Sequence, residues 1–350
     1  MSLLKNCYHW ESLLKKNKMS VLEFIKTYLD DKNTISSLTI ELTNACNLRC
    51  CHCYVANRKK AIENVYLDSQ ILKRIIAEAR LLNVLSITFT GGEPLLHPDF
   101  FEIIKFTKRF GFIVFVKTNG TLINKKNIEL IKNNVDLVEL SKYAFSPKTY
   151  LDVTGKPLYN AYVQTIELLE ANHIRFQERG IIIKENEHEI DNYIENQMKI
   201  EHYISTNAKD TYSLNHLPSK EVLKKIYRSL FTQGATLPNY KKGERVCNLG
   251  TCSLLINSKG DYNPCTNFYY SLGNVKDLSL EEVWKSKMKK DLIEKCNFSF
   301  FTKCRSCENV KYIFSMAPCN NYAETNDMNS VSKNMCYHCS IVKEVIHENN

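Results

Sequence analysis

The chain has 350 residues, of which 44% are hydrophobic and 24% are charged, and its formal net charge is +9. This composition excludes a disordered or fibrous protein and is typical of a folded chain with an ample core. No run approaches the ~20 apolar residues of a membrane helix, and the N-terminus lacks the apolar block of a secretion signal. We therefore expect a cytoplasmic protein without a membrane partner. The positive charge is scattered and forms no basic tract, so we expect no nucleic-acid partner.

Residues 1–35 contain a helical pattern, after which strand and helix patterns alternate. The predicted strands are SLTIELT (37–43), VLSITFT (84–90), FIVFVKT (112–118), VDLVELS (135–141), IRFQERGIIIKE (174–185) and, more weakly, TYSLNHL (211–217). The predicted helices are DSQILKRIIAEARLL (68–82) with Asp68 as N-cap, a helix with Pro98 in its first turn, NKKNIELIKNN (124–134), NAYVQTIELLEAN (160–172), EIDNYIENQMKIEHYI (189–204) and KEVLKKIYRSL (220–230).

This alternation predicts right-handed βαβ units and a parallel sheet, an α/β fold. Six units are too few for a closed eight-stranded barrel, so an open or partial (β/α)6 barrel is expected. Ligands of such folds bind at the carboxyl ends of the strands, which is where the sequence places its cysteine-rich stretch, GGEP, TNG and Ser141. From about Gly243 onward the pattern breaks into short loops with frequent cysteines.

The 14 cysteines are unevenly distributed. Four lie in residues 46–53, none in 54–246 and nine between Cys247 and Cys339. In a reducing compartment, clustered cysteines indicate metal binding or catalysis rather than disulfides. The distribution therefore predicts two metal-binding modules separated by a cysteine-free scaffold.

Cys46, Cys50 and Cys53 have the spacing C-x3-C-x2-C, and Cys51 is interpreted as a bystander. A structural zinc site commonly draws four ligands, often as C-x2-4-C pairs. Three thiolates from one loop suit instead a four-iron cluster in which one iron keeps an open position.

With this motif the chain resembles the radical S-adenosylmethionine (radical SAM) enzymes, whose signature lies in the loop after the first barrel strand. CNLRCCHC matches it, with His52 where the family usually has an aromatic residue. The resemblance implies that S-adenosylmethionine chelates the open iron through its amino and carboxylate groups. Reduction then yields a 5′-deoxyadenosyl radical, which abstracts a hydrogen atom from the substrate.

The resemblance also implies a set of cofactor-binding residues. GGEP matches the family motif at the cofactor's amino group, although alone it would indicate a tight turn. Arg179 resembles a residue that meets the cofactor carboxylate, and a salt bridge with a neighbouring strand is the alternative. Asn119 could equally make a turn. The residues so implied are His52, Gly91, Gly92, Glu93, Pro94, Asn119, Ser141 and Arg179.

The C-terminal cysteines resemble the SPASM extension of peptide- and protein-modifying radical enzymes, which holds two auxiliary four-iron clusters. The match departs after Cys307, where Ile313 and Ala317 occupy places usually held by cysteines. By analogy one cluster takes Cys247, Cys252, Cys265 and Cys319, and the other takes Cys304, Cys307, Cys336 and Cys339. A four-cysteine zinc site from the second set is the alternative. Cys7, Cys51 and Cys296 are left over as buried hydrophobes or hydrogen-atom donors.

Together these features predict a peptide maturase that joins or oxidises side chains of a ribosomally made precursor peptide. Partners would be that peptide, an electron donor such as flavodoxin or ferredoxin, and a separate leader-binding protein, since residues 1–35 leave no room for a leader-binding domain. Alternatives are a peptide epimerase, a formylglycine-forming sulfatase maturase, which Thr266 disfavours, and a non-enzymatic metal-binding protein. The expected domains are 1–35, the barrel (36–232), a connector (233–246) and the SPASM extension (247–345).

Overall fold

The computed structural model describes residues 35–53, 63–202, 215–314 and 316–348, apart from the side chains at 199, 201 and 202. The predicted N-terminal helical pattern and Cys7 lie outside these ranges. Within them, eight strands form one sheet with the order β6-β5-β4-β3-β2-β1-β7-β8. The strands are β1 (Ser37–Thr43), β2 (Ser86–Gly91), β3 (Ile113–Thr118), β4 (Leu137–Lys142), β5 (Phe176–Ile182), β6 (Lys199–His202), β7 (Ser253–Ile256) and β8 (Tyr262–Asn263).

Strands β1 to β6 are parallel and pair in chain order, which confirms the predicted α/β fold. The linear strand order leaves the sheet open, as in a partial barrel. One face of the sheet is apolar and packs against the helices. Ile40, Phe89 and Val138 lie on this face and have no exposed surface. The residues between them, such as Glu139 and Ser141, are only half-buried and face the concave side. Because side chains alternate along a strand, this face presents polar groups to a ligand.

Helices connect the strands. They are α1 (Ser69–Leu81), α2 (Phe100–Arg109), α3 (Ile128–Asn134), α4 (Pro147–Thr154), α5 (Tyr159–Ala171), α6 (Ile190–Glu195), α7 (Lys220–Thr232), α8 (Leu280–Lys285), α9 (Lys287–Glu294), α10 (Thr302–Arg305), α11 (Pro318–Thr325) and α12 (Lys333–Glu348). Asp68 caps α1 as predicted, since its carboxylate accepts from the N–H groups of Gln70 and Ile71. Pro98 precedes α2, whose N-cap position is Asp99, and does not lie in its first turn.

The sixth strand lies elsewhere than predicted. Residues 189–204 were expected to be one helix, but α6 ends at Glu195 and β6 begins at Lys199. Gln197 has a φ of 50°, and its N–H and that of Met198 bond back to Ile194 and Tyr193. This left-handed turn ends the helix, and a glutamine there gives no warning in the sequence, unlike glycine. Most of the predicted strand 211–217 lies outside the described residues, and 215–217 form a turn.

The C-terminal region is more ordered than a series of short loops. β7 pairs in parallel with β1, from Ser37 opposite Ser253 to Ile40 opposite Ile256, and β8 returns antiparallel to β7. The cysteine-rich region thus extends the sheet at its β1 edge. The 16-residue helix α12 follows, against α7 and the 3-10 turn Glu308–Tyr312. No helix within the described ranges has the length and hydropathy that a membrane span requires.

Candidate active site

The loop after β1 carries the C-x3-C-x2-C motif and is held by its backbone. The N–H of Arg49 donates to the Thr154 carbonyl (2.8 Å) and that of Cys51 to the Val153 carbonyl (3.0 Å), both at the end of α4. Burial raises the pKa of Cys50, and the neighbouring thiols of Cys53 and Cys46 raise it further. The three predicted ligands therefore lie near one another in this loop.

The spacing of these thiols fits a cluster better than a single ion. Among the described residues, the one group of three potential ligand atoms that all lie within 4.8 Å of one another is Cys51, Glu185 and His216. At least one pair of the Cys46, Cys50 and Cys53 sulfurs is therefore farther apart than 4.8 Å, whereas two sulfurs on a tetrahedral zinc ion are about 3.8 Å apart. The donor set thus fits an iron–sulfur cluster, with its larger separation of ligands.

GGEP is packed directly against the cysteine loop. The N–H of Gly92 donates to the Thr43 carbonyl and that of Glu93 to the Ala45 carbonyl, each at 2.8 Å. A Cβ on Gly92 would lie 2.3 Å from the Ala45 oxygen, and one on Gly91 would lie 2.3 Å from the Thr43 oxygen. The glycines are therefore required for the close approach of two backbones. Pro94 is buried and begins a 3-10 turn.

Glu93 links this motif to β3. Its Oε1 accepts from the Thr118 hydroxyl (2.7 Å) and its Oε2 from the Asn119 N–H (2.9 Å), and the side chain is fully buried. Burial raises its pKa to about 7, against the opposing effect of these hydrogen bonds. The carboxylate thus positions two motif loops relative to each other, which the sequence argument did not foresee.

Asn119 reaches the cysteine loop from the end of β3. Its Nδ2 donates to Asn47 Oδ1 (2.9 Å) and lies 3.9 Å from the Cys46 sulfur, while its Oδ1 accepts from the N–H and hydroxyl of Thr121. Asn119 therefore lies in the turn that the sequence allowed and also contacts the loop of the proposed cluster ligands.

Ser141 and Arg179 are register partners on the concave face. The Nε of Arg179 donates to Glu139 Oε2 (3.0 Å), while Lys117 lies 2.8 Å from Glu139 Oε1. Burial would raise the pKa of Glu139, but Lys117 and then Arg179 hold it below its usual range. The salt bridge considered for Arg179 is thus present, and the cofactor contact stays a prediction. The Ser141 side chain is close to Tyr143 and opposes the increase that burial causes in the pKa of Tyr143.

His52 is buried beneath the cysteine loop. Its ring lies 5.7 Å from that of Tyr143, centroid to centroid. Burial and, to a lesser extent, the nearby His216 lower its pKa to about 4, so the imidazole is neutral at pH 7. It occupies the place of an aromatic residue and packs as one.

The first auxiliary group gathers at the β7–β8 side. Burial raises the pKa of Cys319 to about 12, and the nearby thiols of Cys265 and Cys247 add to the increase. Cys252 directly precedes β7, and its carbonyl accepts from Ser36. Cys296, which the sequence argument left over, is also close to Cys247 and Cys265. The thiols of Cys247, Cys265, Cys319 and Cys296 are thus near one another, whereas ligation by Cys252 stays a prediction.

The second auxiliary group lines a cavity of about 410 Å³. Cys304 and Cys307 lie at α10, and Cys336 and Cys339 lie one turn apart on α12. Burial raises the pKa of Cys304 to about 11, with Cys336, Cys307 and Cys339 adding to the increase. All four thiols line this one cavity, and its volume leaves room for a four-iron cluster, so these residues could hold one.

Sequence reasoning missed Glu139, Tyr143 and the group formed by Cys51, Glu185 and His216. Glu139 gave a signal, because a charged residue in a buried parallel strand has to face a polar space or a partner. Tyr143 follows β4 and gave none. Glu185 and His216 are far from Cys51 in sequence, so only the fold brings them together.

Family models match two parts of the chain. Residues 40–196 match the Radical SAM superfamily, and residues 247–308 match SPASM, an iron–sulfur cluster-binding domain. The first match includes the three-thiol loop and GGEP, and the second includes β7, β8 and six of the C-terminal cysteines.

Curated relatives match at modest identity. A GTP 3′,8-cyclase of Synechocystis sp. is 29% identical over 181 residues, 50% of this chain and 54% of that protein. The antilisterial bacteriocin subtilosin biosynthesis protein AlbA of Bacillus subtilis is 26% identical over 268 residues, 71% of this chain and 59% of that protein. The chain thus spans about half the length of the curated relatives it matches.

Solved structures share the fold. Native anSMEcpe with bound AdoMet superposes with a TM-score of 0.70 at 17% identity, covering 89% of this chain and 97% of that one. Streptococcus suis SuiB bound to precursor peptide SuiA superposes with a TM-score of 0.63 at 17% identity, covering 95% and 80%. Both likenesses concern the fold, which extends over the barrel and the cysteine-rich region alike.

Proposed function

Because the chain belongs to the radical SAM superfamily and carries a SPASM domain, we propose that it is a maturase of a ribosomally made precursor peptide. It abstracts a hydrogen atom from the peptide and forms an oxidative cross-link, a thioether or a carbon–carbon bond. Residues 36–232 would form the catalytic barrel, 233–246 a connector and 247–345 the auxiliary domain.

One observation carries this proposal. The cysteine-rich region is built onto the edge strand of the barrel through the β1–β7 pairing, so the barrel and the cysteine-rich region share one sheet. An oxidative cross-link needs an electron acceptor after hydrogen abstraction, and fully ligated auxiliary clusters suit that role. The similarity to AlbA, a bacteriocin biosynthesis protein, over 71% of this chain supports a peptide substrate.

Radical SAM domains bind S-adenosylmethionine and a four-iron cluster, which together supply a 5′-deoxyadenosyl radical when reduced, and SPASM domains bind auxiliary clusters. Cys46, Cys50 and Cys53 would hold the first cluster. The two proposed auxiliary sets are Cys247, Cys252, Cys265, Cys319 and Cys304, Cys307, Cys336, Cys339.

The chain's own residues position this chemistry. Glu93 and the two glycines of GGEP fix the cysteine loop against β2 and β3. We place the cofactor on the polar concave face, beside Ser141 and Arg179, where the guanidinium can meet a carboxylate. His52 packs in its neutral form under the loop and excludes water from it.

Two further partners follow from this proposal. A small one-electron donor, such as flavodoxin or ferredoxin, would reduce the clusters, and a separate leader-binding protein would present the peptide. Rescue of an inactive two-component mixture by a third small protein would support the second partner.

The test is an anaerobic reaction of the cluster-loaded protein with S-adenosylmethionine, a reductant and short peptides encoded near its gene, read by mass spectrometry. We expect 5′-deoxyadenosine and a peptide that has lost two hydrogen atoms per bond formed. The Cys50→Ala variant, which lacks a proposed cluster ligand, should form neither. Unchanged peptide mass with deuterium uptake from solvent would indicate an epimerase, and no deoxyadenosine would overturn the proposal.

A further inference from the structure

Cys51, Glu185 and His216 form a second group of potential metal ligands beside the three-thiol loop. One ligand atom from each lies within 4.8 Å of the other two. Cys51 comes from the loop after β1, Glu185 from the turn after β5 and His216 from the segment that leads to α7. All three thus meet at the carboxyl edge of the sheet, and the function proposed above uses none of them.

The backbone holds each member of this group in place. The N–H of Cys51 donates to the Val153 carbonyl (3.0 Å), and the His216 carbonyl accepts from the Lys184 N–H (3.0 Å). The turn that carries Glu185 is closed by Asn186, whose Oδ1 accepts from the Ile183 N–H at 2.8 Å. A fully buried asparagine therefore fixes the carboxylate. Such a pre-formed arrangement lowers the cost of ordering ligands around an ion.

The side chains provide the right donors. His216 Nδ1 and Glu185 Oε1 are in direct contact, and the Cys51 sulfur lies beside both. Glu185 Oε2 is buried and has no hydrogen-bond partner within the part of the chain that the structure describes. A buried carboxylate oxygen without a partner is costly, and a metal ion would satisfy it.

We propose that Cys51, Glu185 and His216 bind one divalent cation of the zinc class. One thiolate, one imidazole and one carboxylate are a borderline-soft donor set that suits zinc. Three protein ligands leave the fourth tetrahedral position open, as in catalytic zinc sites. That position would take water or an anionic donor, such as a thiolate of the bound substrate, at the sheet edge where the radical chemistry is proposed. Binding would release the Cys51 proton.

The spacing separates this site from the proposed cluster ligands. At least one pair of sulfurs in the C-x3-C-x2-C motif is farther apart than 4.8 Å, whereas the ligand atoms of this group all lie within that distance and need only small side-chain movements to share one ion. The two sites can therefore be measured independently, iron for the cluster and zinc for this group.

The experiment uses the full chain, loaded anaerobically with iron and sulfide, supplied with zinc and passed over a weak chelating resin. Zinc and iron per chain are measured by mass spectrometry, and X-ray absorption at the zinc edge identifies the ligands. We expect one bound zinc with one sulfur at about 2.3 Å and the other ligands at about 2.0–2.2 Å. His216→Gln removes a direct ligand, so it should weaken zinc binding by more than the roughly 10- to 100-fold that loss of an outer-shell partner causes. The iron content of this variant should be unchanged.

His188→Gln is the matched control, because His188 contacts Thr149 and lies outside the group; it should keep both metals. Cys51→Ser tests the sulfur ligand. If this change in the cysteine loop also releases iron, Glu185→Gln provides a second test, because Glu185 lies outside that loop. Equal zinc affinity in wild type and His216→Gln would overturn the proposal. So would a zinc shell of sulfur atoms alone, since the zinc would then occupy cluster cysteines. Either result leaves the proposed peptide chemistry untouched, because neither depends on product formation.

Discussion

The carboxylate of Glu93 accepts a hydrogen bond from the backbone N–H of Asn119, with 2.9 Å between Oε2 and N. This contact joins the end of β2 to the end of β3. Asn119 in turn reaches Asn47 and Cys46 in the cysteine loop. The loops that follow three neighbouring strands are thus connected through the Glu93 carboxylate and the Asn119 side chain.

The first prediction concerns the charge of Glu93. Its pKa is raised from 4.5 to about 7, mainly by burial, so the folded state favours the protonated carboxyl. Its contribution to stability is complete below about pH 4.5 and is lost as the pH rises through about 7. The loss reaches about 3 kcal/mol, from the 1.36 kcal/mol that each pKa unit represents.

Thermal unfolding of wild type and Glu93→Gln between pH 5.5 and 7.5 measures this effect. We expect the midpoint of wild type to fall relative to that of the variant as the pH rises. A constant difference between the two proteins would contradict the raised pKa.

Gly92 is predicted to be indispensable for cluster binding. In Gly92→Ala the new Cβ would lie 2.3 Å from the Ala45 oxygen, so the cysteine loop has to move. We expect loss of about four iron atoms per chain, one cluster's content, measured by iron analysis after anaerobic loading. Gly111→Ala is the control, since a Cβ there meets nothing within 4 Å, and its φ of 83° adds a backbone strain that Gly92 does not have. If Gly92→Ala binds as much iron as Gly111→Ala, the clash does not displace the cysteine loop.

Arg179 is predicted to contribute to cofactor binding. Arg179→Met removes a guanidinium from the concave face, and a lost hydrogen bond to a charged group costs about 1.5–3 kcal/mol, which corresponds to roughly tenfold or more in affinity. Equilibrium dialysis with S-adenosylmethionine measures the dissociation constant. Lys117→Met is the matched control, because Lys117 contacts the same Glu139 carboxylate from the other side. If the two variants weaken binding equally, the effect acts through Glu139.

The proximity of Cys296 to Cys247 and Cys265 leads to a prediction about its role. Its sulfur donates to the Leu292 carbonyl at 3.6 Å, and the residue is fully buried. We therefore expect Cys296→Ala to retain its iron, whereas Cys252→Ala loses about four atoms per chain. Iron analysis and electron paramagnetic resonance of the reduced proteins distinguish them. Iron loss in Cys296→Ala but not in Cys252→Ala would show that Cys296, rather than Cys252, is a cluster ligand.

The sequence by itself determined the parallel α/β sheet, five of its strands and the three-thiol loop. Hydrophobic runs with a period of two or 3.6 residues and cysteine spacing are local properties, and here local preference and the final fold agree. The tertiary structure decided what depends on contacts distant in sequence. It placed β6 after a glutamine in the left-handed conformation and paired β7 with β1. It also linked two loops through Glu93 and brought Cys51, Glu185 and His216 together. None of these has a local signature, because the energy of a buried hydrogen bond or a strand pairing depends on which partner the fold supplies.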